Sequence, residues 1–365
     1  MKTQAQVLEA FGRPLRMQSF DLPPPGEGEV LVRVTHAGVC GSDLHMASGE
    51  DPRTPLPIVL GHEGVGEVAA VGGEKRSLDG RPLEAGQPVL WNRGVVCGRC
   101  FFCTRGEAHL CPERFVYGIH RGVDVPPHVN GCYSRHLLLD ARTDIRIIDD
   151  VPAAHRKTLV TASCSGATAA HAFDHFEPEA GEAVVVQGAG PLGCFLGAFA
   201  RRCGADPIVF ISRSEGRLET ARDFGATHTL SIKHTDADER RAFIRDLTAG
   251  RGADAVYEAV GQAAVVREGL GLVRQGGRYV SAGFGQPGGS MAWDPFADLV
   301  RPDLKVVGVW VSHTRHMERA VDLMKRNLDA FAGMITHTLP LAEANAAHAL
   351  MRRGEAMKVA LDPQA

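Results

Sequence analysis

Four cysteines, Cys97, Cys100, Cys103 and Cys111, lie in the run CGRCFFCTRGEAHLC as a C-x2-C-x2-C-x7-C pattern. Two-residue gaps let successive thiolates turn onto one ion, and four sulfurs at tetrahedral corners leave no position open to a substrate. The spacing therefore points to a structural zinc. An iron–sulfur cluster and a redox-active C-x-x-C pair are the alternatives. A second group stands upstream: Cys40 in VCGSDLH, and His62 and Glu63 in GHEGVG. A thiolate, an imidazole and a carboxylate brought together from separate segments can hold zinc with one position left for a substrate oxygen. Taken singly, Cys40 reads as a small buried hydrophobe and His62 as a satisfied core histidine. Together, each beside glycines, they favour a metal.

A third stretch, Ala183 to Gly193 (AVVVQGAGPLG), reads as a buried strand running into a glycine turn and a helix. In Gly188-x-Gly190-x-x-Gly193 the first glycine permits the turn and the second lets a pyrophosphate approach. The third brings helix and strand together. Pro191 and Leu192 complete this cofactor-binding turn, whose helix start turns free N–H groups toward phosphate. The pattern alone also serves plain turn-and-packing uses. About twenty residues on, Ser212 and Arg213 occupy the place where an NAD site usually has an acid on the ribose hydroxyls. A small hydroxyl and a forked cation suit a 2′-phosphate, so the cofactor expectation leans to NADP. Glu215 close by, and Arg213 as a simple solvated loop residue, argue the other way.

The elements that must position these groups fall into two textures. Residues 1–160 show short apolar runs broken by Gly and Pro (Val30 to Val34, Gly64 to Val71, Pro88 to Trp91, His136 to Leu139), which implies a mainly β lobe with long loops. From 161 to 310 strands alternate with helical stretches: Ala183 to Val186, Ile208 to Ile211, Ala255 to Ala259 and Arg278 to Ala282. This is the pattern of βαβ units and a doubly wound parallel sheet. Residues 311–365 turn helical and end in Lys358-Val-Ala-Leu, a closing strand. Ala183 to Ala200 carries no charge and is long enough to span a bilayer. Its glycines and Pro191 favour the strand-and-helix reading instead.

The chain has 365 residues, 40 Lys plus Arg against 43 Asp plus Glu, and a formal charge of −3, which suggests neither a nucleic-acid nor a membrane-surface partner. Nine cysteines without a secretory signal suit reduced thiols in a cytoplasm.

The motifs CGSDLH, GHEGVGEV, the four-cysteine lobe, GAGPLG, EAVG and the closing MKVAL, in this order over nearly the whole chain, resemble the zinc-dependent medium-chain alcohol dehydrogenases. The resemblance implies a GroES-like catalytic domain built from both chain ends, with its zinc lobe at about 92–115, and a Rossmann domain between. It implies one catalytic and one structural zinc, with Cys40, His62, Glu63 and Cys164 as the metal group. Ser42 would take the substrate proton and His45 would relay it, with Asp43 supporting the zinc side. Val260, Gly261 and Gly283 would flank the nicotinamide, and Lys358 would lie near the pyrophosphate. The activity implied is hydride transfer between a small-molecule alcohol or its carbonyl product and a nicotinamide, in a homodimer or homotetramer paired through an edge strand at Lys305 to Val311. A zinc-free enoyl or quinone reductase, and a catalytically silent binding protein, are the competing readings; the intact ligand set disfavours both. The chain departs from the family after Gly72, where GGEKRSLDGRPLEAGQPV is longer than usual. That loop, with FVYGIH and GCYSRH, resembles members associated with phosphonate catabolism. Trp91, Asn92, Tyr117, His120 and Trp310 are candidate pocket liners, and His120-Arg121 a candidate receiver for an anionic group.

Overall fold

Buried β-branched side chains on strands that alternate with Gly- and Pro-rich turns build the first of two units in the computed structural model, which describes all 365 residues. This unit comprises Met1–Cys164 and Ser312–Ala365; the second is Ser165–Val311. The sequence boundary at 161 falls four residues before Ser165, and the shift keeps Cys164 with the metal group of the first unit.

The first unit is organised on a seven-stranded sheet in the order Ile145–Ile147, Pro88–Trp91, Gly64–Val71, Val30–Val39, Lys358–Asp362 and Ile335–Pro340, with His136–Leu139 also paired to Val30–Val39. The closing strand pairs antiparallel with Val30–Val39, Val359 against Val39 and Ala360 against Gly38. This register carries the C-terminus back beside Cys40. A three-stranded sheet adds Lys2–Leu8, Arg16–Asp21 and Ile58–Val59, and a two-stranded ribbon, Gly94–Val95 with Phe115–Val116, closes the cysteine lobe. The core is aliphatic, with Trp91, Tyr117 and Tyr133 buried among Val, Leu and Ile.

The second unit is an all-parallel six-stranded sheet ordered His228–Ser231, Ile208–Ser212, Val184–Gln187, Ala253–Glu258, Val273–Ser281 and Lys305–Gly308. That is the doubly wound order, with the first strand central and all four of its side chains buried. Four of these strands follow the predicted runs. His228–Ser231 escaped the sequence reading because a short polar HTLS segment carries no apolar pattern. The stretch weighed as a membrane span is the strand Val184–Gln187 and the helix Pro191–Arg202. No helix is long and apolar enough to cross a membrane.

Candidate metal centres and dinucleotide turn

One carboxylate organises the first metal group. Cys40 is the N-cap of the helix Gly41–Ser48, and its backbone N–H donates to Asp43 Oδ2 at 2.8 Å, one turn into the helix. Asp43 is fully buried and also accepts from the Tyr133 hydroxyl at 3.2 Å. Its Oδ1 stands 3.3 Å from His62 Nδ1. That contact orients the ring so that Nε2 faces the sulfurs, the carboxylate–histidine arrangement typical of metal ligands. Cys164 comes from a π-helical turn, Ala162–Gly166, a local distortion that often marks functional positions.

The donor atoms of Cys40, His62, Glu63 and Cys164 all lie within 4.8 Å of one another. Cys40 Sγ and Cys164 Sγ are 4.0 Å apart, and Cys164 Sγ is 3.4 Å from His62 Nε2. Zinc–sulfur bonds of about 2.3 Å at tetrahedral angles require sulfurs about 3.8 Å apart, so the set already has the spacing of a single ion. The charges fit as well. The Cys164 thiol holds Cys40 well below the ordinary thiol range although burial opposes it, and Cys164 is pushed up in turn by Cys40 and then by burial. Burial works against a charge on His62, but Asp43 outweighs it and lifts the imidazole to about 10. A divalent cation held by these groups would take the place of the shared protons.

Glu63 is fully buried, and its Oε1 has no hydrogen-bond partner. Its Oε2 lies 2.6 Å from Lys358 Nζ, which also donates to Val39 O at 3.2 Å. Lys358, expected near a pyrophosphate, is 1% exposed and is held as the buried counter-charge of Glu63. Burial presses against its charge, and Glu63 more than restores it.

The four-cysteine lobe forms a second group, with all four sulfurs within 4.8 Å of one another and Cys97 and Cys103 at 3.9 Å. Such close spacing surrounds one ion and is too tight for the corners of a multi-iron cluster. Backbone N–H groups, Arg99 first, draw Cys97 down to about 7, while burial and then Cys100 push Cys103 up to about 12. Four sulfurs gathered this closely suit a cation. Replacing Cys103 with serine is expected to reduce zinc from two ions per chain to one. It should also lower Tm by about 5–10 °C, at about 2–4 °C per kcal/mol for a unit of this size. Metal analysis beside a thermal melt checks this; two ions retained at unchanged Tm would remove the structural role.

In the second unit Gly188 has φ +106°, a conformation that favours glycine, and a Cβ on Gly193 would stand 1.9 Å from Gly188 O. Gly190 caps the helix, with Pro191 as its first residue and Leu192 next. A Cβ on Gly190 would meet only Arg217 Nη1, at 4.0 Å, so the turn keeps open space above it. These features fit a pyrophosphate at the helix start. Val260, Gly261 and Gly283 are drawn together by Glu258, fully buried at the end of its strand. Its Oε1 accepts from Val260 N and Gly261 N, both at 2.5 Å, and its Oε2 from Ser281 Oγ at 3.1 Å and Gly283 N at 3.3 Å.

Several candidate liners turn out to be structural. Trp91 is buried against Gly64, Tyr117 OH pairs with Thr143 Oγ1 at 2.8 Å, and Asn92 donates to Thr314 Oγ1 at 2.8 Å. The Arg121 guanidinium lies over the Phe115 ring at 3.3 Å. His45 Nδ1 lies 2.6 Å from Glu50 Oε2 at the surface, and Ser42 Oγ is 3.8 Å from Cys40 Sγ. Sequence reasoning missed Glu258, Arg217 and Arg93. An acid ending an apolar strand was the available signal for Glu258. Arg93, between an apolar strand and the first cysteine of the lobe, looks like any loop residue, yet its Nη1 donates to Cys164 Sγ at 2.8 Å.

An open metal centre on a GroES-like unit and a glycine turn on a doubly wound sheet define the class: a zinc-dependent alcohol oxidoreductase. Residues 26–149 match the alcohol dehydrogenase GroES-like domain and residues 191–326 the zinc-binding dehydrogenase domain. The chain belongs to the zinc-dependent medium-chain alcohol dehydrogenase family. It is similar to an alcohol dehydrogenase of Thermotoga maritima, with 45% identity and a TM-score of 0.94 over 99% of both chains. It is 31% identical to 5-exo-hydroxycamphor dehydrogenase of Pseudomonas putida, over 95% of this chain and 96% of that one. A Sinorhizobium meliloti protein described as a zinc-binding dehydrogenase and solved with NADP shares 26% identity over both full lengths, at a TM-score of 0.84.

Proposed function

We propose that this oxidoreductase interconverts a small-molecule alcohol and its carbonyl product with NADP as the preferred hydride carrier. Zinc supplies Lewis acidity and the nicotinamide carries the hydride. Cys40, His62 and Cys164 would hold the metal, with Glu63 as its buried neighbouring carboxylate. Asp43 fixes the His62 ring, and the Ser42 hydroxyl receives the substrate proton and passes it toward His45, whose Nδ1 is braced by the exposed Glu50.

The observation that carries the cofactor choice is a pair of guanidinium groups at the end of the strand Ile208–Ser212. Arg213 is exposed immediately after it, and Arg217, half-buried over Gly190, is close enough that its charge is opposed by burial and then by Arg213. Glu215, the nearby acid, has its Oε1 2.8 Å from His234 Nε2. A 2′-phosphate would meet cations there, whereas the ribose hydroxyls of NAD would find no free carboxylate. The NADP-bound Sinorhizobium relative supports this reading. Measured kcat/KM is expected to favour NADP, with Arg213→Ala and Arg217→Ala each lowering it about tenfold for NADP and little for NAD, the worth of one charged hydrogen bond. Ser212→Asp should reverse the preference. A wild-type preference for NAD would discard the proposal.

The open edge of Lys305–Gly308, paired on one side only, to Val273–Ser281, supports a homodimer or homotetramer. Nine free cysteines support a reducing, cytoplasmic setting.

A further inference from the structure

Arg93 is 6% exposed, its Nη1 donates to Cys164 Sγ at 2.8 Å, and its buried Nε has no hydrogen-bond partner. Arg114 brings a second guanidinium alongside. A Cβ on Gly94 would stand 2.7 Å from Arg114 Nη2, so the glycine after Arg93 is what admits this group, and Nη2 is likewise buried without a partner. Burial first, and Arg93 second, press against the Arg114 charge, drawing it down to about 9. The next cation outward, Arg53, is neutralised by Asp51 through contacts of 2.8 and 2.6 Å. Neither Arg93 nor Arg114 has a carboxylate of its own. Burial first, and then the charges of Arg114 and Arg53, hold the nearby His120 down at about 4.

A guanidinium removed from water without an anion is costly, and breaking a buried charge's pairing is among the larger single penalties known in proteins. Two of them side by side, one touching a sulfur of the metal group, are arranged for a charge brought from outside. Cys164 cannot be the whole answer: a thiolate satisfies one N–H of Arg93 and leaves Nε and the Arg114 Nη2 unmet. A planar guanidinium offers paired donors that match the oxygens of a carboxylate or phosphate.

We infer that the substrate carries an oxyanion, bound by Arg93 with support from Arg114, so that the enzyme acts on a short hydroxy acid or hydroxyalkyl phosphate rather than on a neutral alcohol. This rests on the alcohol oxidoreductase reading and names its substrate class. Because Arg93 touches a metal-ligating sulfur, the hydroxyl and the oxyanion must be joined by a short carbon chain. The structure thereby moves the anion-receiving role from His120-Arg121, where Arg121 is committed to the Phe115 ring, to Arg93 and Arg114.

The test compares 4-hydroxybutanoate and 3-hydroxypropyl phosphate with 1-butanol, using zinc-loaded wild type, Arg93→Ala, Arg93→Lys and Arg114→Gln. Wild type is expected to favour at least one anionic substrate in kcat/KM. Arg93→Ala should raise KM for it about 10- to 100-fold, the size expected for losing a charged hydrogen-bonding partner, and well beyond any loss that 1-butanol suffers through the missing bond to Cys164. Arg93→Lys should recover part of the loss, and Arg114→Gln should show a smaller one. Butanoate, which cannot turn over, should raise the Tm of wild type and not of Arg93→Ala. Equal losses of kcat on charged and neutral substrates would make Arg93 a tuner of Cys164 and overturn the inference. Preference for 1-butanol would overturn it while leaving the oxidoreductase reading intact. If no alcohol is oxidised, the oxidoreductase reading fails and the butanoate shift alone decides whether an anion binds at Arg93.

Discussion

Alanine at Cys40 or His62 is expected to lower kcat/KM at least about a thousandfold and to remove one zinc per chain while the four-cysteine lobe keeps its own. The magnitude follows from what is lost. Lewis acidity is worth several kcal/mol of transition-state charge stabilisation, and each 1.36 kcal/mol is about tenfold in rate. Three donor atoms within 4.8 Å of one another act as a set, so removing either should cost nearly as much as removing both. Ser42→Ala separates this effect from proton handling. It leaves every metal-group sulfur and the imidazole in place and should cost about a hundredfold, with zinc content unchanged. Steady-state kinetics with metal analysis on the same preparations provides the check. Turnover that survives in the Cys40→Ala/His62→Ala double variant would falsify the metal-centred mechanism.

The ligands could be read from the sequence because their chemistry is local in kind: thiols and imidazoles beside glycines have few other uses in such spacing. The strands were legible for a similar reason. Val30–Val39, Gly64–Val71 and Pro88–Trp91 announce themselves by apolar runs between Gly and Pro, and the glycine turn by its own spacing. What stayed hidden is long-range. Glu258 takes its meaning from two loops that close on it only after the strands Ala253–Glu258 and Val273–Ser281 have paired. Arg93 takes its meaning from Cys164, 71 residues on. No periodicity or motif connects such pairs, so a charged residue bound to a buried partner looks, in sequence, like a solvated one. Trp91, Asn92 and Tyr117 show the converse. Proximity to a motif suggested pocket liners, and packing at the ends of the strands Pro88–Trp91 and Phe115–Val116 put them into the core or onto structural hydrogen bonds.

The pairing of Lys358 with Glu63 was hidden for the same physical reason, and it carries the largest expected effect on stability. Lys358 lies 295 residues from Glu63, in the closing MKVAL motif where the family resemblance implied a phosphate contact. The antiparallel register of Lys358–Asp362 on Val30–Val39 instead carries its ammonium beneath the metal group, onto Glu63 Oε2 and Val39 O. Lys358→Met keeps most of the volume and removes the charge. Glu63 is then left as an uncompensated buried carboxylate, a loss of about 3–5 kcal/mol, or about 10 °C in Tm for a unit of this size. Loss of packing alone does not explain such a value, because methionine fills similar space, and a second substitution distinguishes the two causes. If the charge pair is responsible, adding Glu63→Gln to Lys358→Met should recover about 1–3 kcal/mol relative to the sum of the single variants. Urea unfolding of the four proteins with zinc present measures this coupling. Strictly additive losses would mean that Lys358 and Glu63 stabilise the protein independently, and the ammonium would again be available for another role.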